Sequence, residues 1–160
     1  MTLLSRMSRE PLTANVDADL LKQATINVIQ NGAQSMPNGG NLEVILEEDR
    51  DFISPESAHS SADGAGAKYA VLRVRDQGAG IPEDIRGKIF DLYFTTKSTG
   101  SGIGLAMTYR IVQLHQGSVD VQSVVGRGSE FQLRFPLVAM DRGRRQSRPA
   151  GIETAKGTVG

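Results

Sequence analysis

The chain has no cysteine and no tryptophan, no excess of either charge, and no apolar run of bilayer length. The missing cysteines exclude disulfides, thiolate metal sites and thiol catalysis. Only five phenylalanines and three tyrosines are present among 160 residues, so the core must be mainly aliphatic. Lysine and arginine total 18, matched by 18 aspartates and glutamates. A balanced charge gives no reason to expect nucleic acid or an anionic membrane as the main partner. Without a stretch of about 20 apolar residues there is no membrane-spanning segment, and "MTLLSRMSREP" has no signal-peptide core. A cytoplasmic location follows by default, with a parent protein free to be membrane-attached.

What is present reads as one domain with a tail. "PLTANV" suits a short extended segment, and Asp17 or Asp19 can cap a helix by accepting backbone N–H groups. Leu20, Leu21, Ala24, Val28 and Ile29, widened by Ile26, then follow helical spacing until "PNGG" ends it. "NLEVILEE" alternates at Leu42, Val44 and Leu46 as a strand, and "YAVLRVRD" reads as a buried or half-buried strand ending at Asp76. The polar, Gly/Ser-rich segment between them reads as a mobile loop. A second helix is expected over "GIGLAMTYRIVQLHQG", with Leu105, Tyr109, Val112 and Leu114 inward and Gly117 past its end. "SVDVQSVVGRGSEFQLRFPL" predicts two strands joined at Gly126–Gly128. Residues 1–16 are then an N-terminal strand or linker, 17–138 the folded domain, and 139–160 a basic, disordered tail. The order implies an α+β two-layer sandwich: a mixed, mostly antiparallel sheet with helices on one face.

Chemistry concentrates between Asp76 and Ala106, "DQGAGIPEDIRGKIFDLYFTTKSTGSGIGLA". Asp76 suits a plain turn at a strand end. It also suits recognition of an exocyclic amine, since an ionised carboxylate only accepts, and Gly78 and Gly80 let backbone approach a flat ring. Gly100, Gly102 and Gly104 open a helix, serving either as a hinge or as bare N–H groups facing phosphate. Neither a P-loop nor a dinucleotide fingerprint is present. Asn27 and Asn31 lie one turn apart on the first helix, as a solvated stripe or as an amide oxygen for Mg²⁺. Lys97 is a loop lysine that a mobile lid can carry to phosphate, and Phe90 and Phe94 suit hydrophobic anchors for that loop. Of the two histidines, His59 falls in the polar loop and His115 near a helix end, neither with a partner that suggests catalysis.

Taken in order, "NVIQNGAQSM", "DQGAGIP", "IFDLYFTTK" and "GSGIGLAM" resemble the N, first glycine, F and second glycine boxes of the ATP-binding catalytic domain of bacterial sensor histidine kinases. That domain belongs to the Bergerat-fold superfamily, shared with gyrase, a mismatch-repair protein and the ninety-kilodalton chaperone. The resemblance covers Asp17 to Pro136, with "GRGSEFQLRFP" as the closing hairpin. It implies an ATP site built from Asn27, Asn31, Gln34, Asp76, Gly78, Gly80, Ile81, Phe94, Thr95, Thr96, Lys97, Ser101, Gly102, Ile103, Gly104, Leu105 and Ser129. In it Asn31 coordinates Mg²⁺, Asp76 recognises adenine, Ser129 assists at the base, and Thr95 through Gly104 form the lid. Asn27 stands where hydrolytic relatives carry a glutamate base, which implies phosphoryl transfer rather than hydrolysis.

Two positions depart from the family. Gly32 replaces the usual alanine after Asn31, at a helix cost of about 1 kcal/mol, and Gln34 or Ser35 stands where many members carry a basic residue near phosphate. No phosphoacceptor helix pair precedes Asp17, and the family's usual first helix and first strand are not legible. "TLLSRMSREPLTANV" is instead expected to supply an edge strand, with one sheet face under-covered and an apolar patch near that edge. The implied partners are a histidine-bearing dimerisation domain and, through it, a response regulator. The competing reading is a non-catalytic nucleotide-sensing or protein-binding module of the same fold. A serine kinase of the anti-sigma type ranks last, because it normally carries a glutamate at the Asn27 position.

Overall fold

The computed structural model describes residues 1–52, 67–98 and 100–138; the expected polar loop and basic tail fall largely outside these. Five strands form one sheet: β1 (Thr2–Met7), β2 (Asn41–Asp49), β3 (Tyr69–Arg75), β4 (Ser118–Val124) and β5 (Gly128–Pro136), in the order β1-β2-β3-β5-β4. β1 runs parallel to β2 and every other pairing is antiparallel. Three helices complete the element list: α1 (Ala18–Gln34), the single turn α2 (Glu83–Arg86) and α3 (Gly104–Leu114). This is the expected α+β two-layer sandwich.

Helix α1 starts where the sequence says it should. Asp17 is extended (φ −72°, ψ 117°), and its carboxylate accepts from the N–H groups of Asp19 and Leu20 at 2.9 and 3.0 Å. Of the two capping candidates, Asp17 is the cap. His115 ties this cap to the far end of α3. Its Nε2 accepts the Asp17 N–H at 3.0 Å, and Nδ1 lies 2.7 Å from the Ile111 carbonyl, to which it donates. His115, expected to have no catalytic partner, thus has a structural one and joins the two helices.

The inner sheet face is aliphatic, with Leu42 and Val44 of β2, Leu72 and Val74 of β3, and Phe131, Leu133 and Phe135 of β5 packed with Val28 and Val112. The two helices lie on this face and pack on each other. Their contact selects small residues. Ala24 is fully buried, and the Thr108 hydroxyl donates to Gly104 O at 3.0 Å while lying 3.5 Å from Ala24 O. The inward stripe of α3 is therefore Ala106, Thr108, Ile111 and Val112. Tyr109 and Leu114, expected inward, are exposed, as is Ile26 on α1.

The outer face carries charge in register. Arg75 pairs with Glu43 at 3.6 Å, Arg73 with Glu47 at 3.6 Å, and Arg134 with Asp49 and Asp120 at 2.7 and 2.6 Å. Phe52 adds an apolar cap, its ring 4.4 Å from the Arg134 guanidinium and edge-on to Tyr69 at 5.0 Å. Such cross-strand pairs stabilise a sheet face that no helix covers. Burial acts to raise the Glu130 pKa, but hydrogen bonds from Gln132 and Arg75, with the charges of Arg75 and Arg73, outweigh it and leave the carboxyl below its ordinary value.

At one edge of the sheet, β1 is the edge strand expected within "TLLSRMSREPLTANV". Thr2–Met7 is a strand, anchored at its start by Thr2 N–H on Gly40 O at 2.8 Å. All six of its residues are exposed, including Leu3, Leu4 and Met7, so the apolar edge patch is present.

β5 begins with Gly128 at φ +98°, where a Cβ would lie 2.0 Å from the carbonyl oxygen of Asp76. Only glycine lets the hairpin pass so close behind that residue. Gly128→Ala is expected to lose roughly 2–3 kcal/mol of stability in urea titration, from left-handed strain plus the clash; an unchanged midpoint contradicts this contact. The depressed Glu130 pKa means that its stabilisation is complete above the ordinary value of 4.5 and is lost as pH falls through the lower folded-state value. Glu130→Gln should therefore lose less stability between pH 6 and pH 3 than the unaltered protein, and identical acid dependence in both contradicts the charge ladder.

Candidate functional site

A cavity of about 700 Å³ opens between α1, the end of β3, α2, the start of α3 and the β4–β5 hairpin. Asp76 and Asn31 both line it, so the two residues on which the sequence reading rests share one space.

Asp76 follows the last residue of β3, the middle strand of the sheet, and is 3% exposed. Its backbone N–H donates to Ser129 O at 2.9 Å. Its Oδ1 accepts from Gly78 N–H at 2.8 Å, from Ser35 Oγ at 3.0 Å and from Ser129 N–H at 3.3 Å. No described residue donates to Oδ2. Oδ1 thus holds the carboxylate in rotation, while Oδ2 keeps its capacity to accept and Asp76 lines the cavity. A buried acceptor in this arrangement is specific for a donor group.

The base of the pocket is apolar around that oxygen. Ile81, Ile85, Ile89, Leu105 and Val125 line it together with the backbone of Ala79 and Gly80. Ile81 is held by its N–H on Ser123 Oγ at 2.7 Å, and the same hydroxyl lies 3.0 Å from Ser129 Oγ. A flat apolar slot with one acceptor at its floor suits a heteroaromatic ring bearing an amine.

Helix α1 supplies the polar wall. Asn27, Gln30, Asn31 and Gln34 share one helical face toward the cavity. Asn27 is partly committed already, its amide donating to Gly104 O at 3.1 Å and so tying α1 to the start of α3. Gly32 is buried on the adjoining face; a Cβ there would meet Leu42 Cδ1 at 2.7 Å and come within 3.7 Å of Asp76 Oδ2. The glycine costs helix propensity, as expected, but it also lets α1 lie close to β2 and Asp76.

The segment from Phe94 to Gly104 closes the remaining side. Phe90 anchors its approach, edge-on to Phe131 at 6.5 Å and near Tyr109 at 5.6 Å, and Phe94 packs against the core while lining the cavity. Tyr93 sits at φ +66° and gives its N–H to Gly102 O at 2.9 Å. Gly102 has φ +68°, and a Cβ there would lie 2.4 Å from the Tyr93 carbonyl carbon, so glycine is required where the two ends of the loop cross. Thr95, Thr96, Ser101, Gly102 and Gly104 line the cavity beyond it. No side chain caps α3.

Lys97 reaches back across the cavity. Its ammonium donates to Asn31 Oδ1 at 2.8 Å and to Gln34 Oε1 at 2.9 Å. Burial lowers its pKa below the ordinary value, an effect that the negative charge of Asp76 opposes. The position at Gln34 that lacks a basic side chain is thus served by a cation from the loop.

Two of the residues implied by the resemblance do not line the cavity. Ile103 is 39% exposed and points away as the residue before α3. Gly78 instead works from behind, its N–H on Asp76 and its Cα face closed by Ser35, whose Oγ would lie 2.1 Å from an added Cβ. Gln30, Ile85, Ile89 and Val125 line the cavity without having been singled out. Gln30 was findable, since it falls on the Asn27–Asn31–Gln34 face; Ser123 and Val125 had no sequence signal, because their place depends on hairpin register. Among the described residues no group of three or more His, Asp or Glu side chains is placed to hold a metal ion.

The sequence matches the family described as histidine kinase-, DNA gyrase B- and HSP90-like ATPase over residues 16–139. It is 35% identical over 128 residues to sporulation kinase A of Bacillus subtilis (strain 168), covering 80% of this chain and 18% of that protein. It is 31% identical over 134 residues to the signal transduction histidine-protein kinase AtoS of Escherichia coli (strain K12), covering 84% and 19%. The chain thus spans about a fifth of the length of these relatives. Among solved structures, the mycobacterial sensor histidine kinase MprB superposes with a TM-score of 0.65 at 27% identity, covering 86% of this chain and 84% of that one. With the cavity, the buried aspartate and the glycine-latched loop in the same order as the motifs, the chain belongs to the histidine kinase-, DNA gyrase B- and HSP90-like ATPase family, and its relatives are sensor histidine kinases.

Proposed function

We propose that this chain is the ATP–Mg-binding catalytic domain of a two-component sensor histidine kinase, passing the γ-phosphoryl group to a histidine on a separate dimerisation domain that in turn serves a response regulator. The observation that carries the reading is Asp76: a buried carboxylate that lines the cavity with Ile81, Ile85, Leu105 and Val125, one oxygen held by Gly78, Ser35 and Ser129 and the other without a donor among the described residues. That free oxygen accepts the adenine amine, while Ile81, Ile85, Leu105 and Val125 flank the ring. The loop around Gly102 and the uncapped start of α3 present backbone N–H groups to the phosphates. Lys97 neutralises phosphate charge from the opposite side.

Asn31 fits a magnesium ligand only together with phosphate oxygens and water, since among the described residues no group of three or more His, Asp or Glu side chains is placed to hold a metal ion. When bound with the nucleotide, Mg²⁺ supplies charge neutralisation on the phosphates. The chain provides no general base at the Asn27 position, where an amide already donates to Gly104 O. Water is therefore poorly activated, and the phosphoryl group goes to an external nucleophile. Catalysis by this half is positioning and electrostatics. Using cellular ATP, the domain works in the cytoplasm. No helix among the described residues is long and apolar enough to cross a membrane.

Calorimetric titration with ATP and Mg²⁺ tests the site. Asp76→Asn is expected to weaken binding about ten- to a hundredfold, the value of a charge-assisted hydrogen bond in a desolvated pocket. Unchanged affinity in a folded Asp76→Asn variant refutes the assignment. Adding a histidine-bearing dimerisation domain should then give phosphohistidine; tight ATP binding without transfer to any such domain favours a nucleotide-sensing module.

A further inference from the structure

Lys97 is held by an unusual pair of partners. Its ammonium rests on two neutral amide oxygens, Asn31 Oδ1 and Gln34 Oε1, at 2.8 and 2.9 Å. Among the described residues no carboxylate lies within salt-bridge distance of it. The backbone of Lys97 is itself fixed: its N–H donates to Thr95 Oγ1 at 3.1 Å and its carbonyl accepts from Gly100 N–H at 3.1 Å. The tight turn aims the side chain into the cavity. Hard amide oxygens are the donors that a divalent cation of the magnesium class also takes. Lys97 and such an ion therefore address the same atom of Asn31.

We infer that Lys97 determines which charge form of the nucleotide the pocket accepts: it stands in for the divalent cation at Asn31, so that the site takes metal-free triphosphate nearly as well as the magnesium complex. The inference rests on the nucleotide reading above and adds a specificity role to it. With metal-free nucleotide the ammonium stays on Asn31 and Gln34 and faces the phosphates from there. With the magnesium complex it leaves Asn31 Oδ1 and keeps a phosphate contact alone. Amide oxygens hold a cation more weakly than a carboxylate does, which makes the exchange reversible.

The test is a four-way calorimetric comparison: ATP with excess Mg²⁺ and ATP with EDTA, each against the unaltered chain and Lys97→Met. The unaltered chain should bind metal-free ATP within about tenfold of the magnesium complex; Lys97→Met should widen that ratio by a further tenfold or more, most of the loss falling in the EDTA arm. Gln34→Ala, which removes one of the two oxygens, should widen it by a smaller factor. A ratio that is the same in Lys97→Met and the unaltered chain overturns the inference and leaves the nucleotide site standing, provided Asp76→Asn still weakens binding at least about tenfold. Absence of ATP binding in every arm overturns the site and the inference together. Melting curves of each variant confirm that the fold is retained.

Discussion

A carboxylate buried at the end of a central strand is costly unless donors satisfy it, and the fold around Asp76 is arranged to satisfy half of it. Three donors from three separate elements converge on Oδ1: the N–H of Gly78 in the following turn, the hydroxyl of Ser35 at the end of α1, and the N–H of Ser129 in β5. The constraint reaches outward from there. β5 can pass behind Asp76 only because residue 128 is glycine, glycine at residue 32 leaves room for Leu42 where α1 meets β2, and the hairpin brings Ser123 to hold both Ile81 and Ser129. The hydrogen-bonding needs of one side chain thus tie α1, β3 and the closing hairpin into a pocket wall.

The opposite wall is built from neutral groups and one cation. Asn27, Gln30, Asn31 and Gln34 give α1 a polar face without charge, and Lys97 brings charge to it from a loop that Tyr93 and Gly102 latch together. On the proposed reading, placing the cation on a loop rather than on the helix separates the rigid recognition of a ring from the adjustable recognition of phosphates. The outer sheet face plays no part in this. Its ladder of Arg73, Arg75 and Arg134 against acidic partners supports the sheet from behind and leaves the inner face to the helices and the cavity.

Much of this was legible in the residues because it rests on local rules. Asp17 reads as a cap, Leu42-Val44-Leu46 as a strand face, and Gly126–Gly128 as a turn, and each holds. The glycine-flanked aspartate and the paired asparagines also line one cavity, as their proposed joint role requires. The edge strand expected within "TLLSRMSREPLTANV" is present as Thr2–Met7, paired parallel with β2 although adjacent Leu3 and Leu4 break the alternation. What escaped depends on partners distant in sequence. The phase of α3 was misjudged because large residues suggested the buried stripe, whereas close packing on Ala24 selects Ala106 and Thr108. Ser35 looks like an ordinary helix-end hydroxyl until Asp76, 41 residues later, is placed beside it. Ile103 lay within a motif but outside the pocket, since one residue's rotation at a helix start turns a side chain to solvent.

The central claim is that the free oxygen of Asp76 reads an amine on the bound base. The most direct measurement compares ATP with inosine triphosphate, which carries a carbonyl oxygen where adenine carries that amine, by calorimetry on the unaltered chain. The account predicts that inosine triphosphate binds at least about tenfold more weakly, because two acceptors then face each other in a desolvated slot. Equal affinity for the two nucleotides contradicts it.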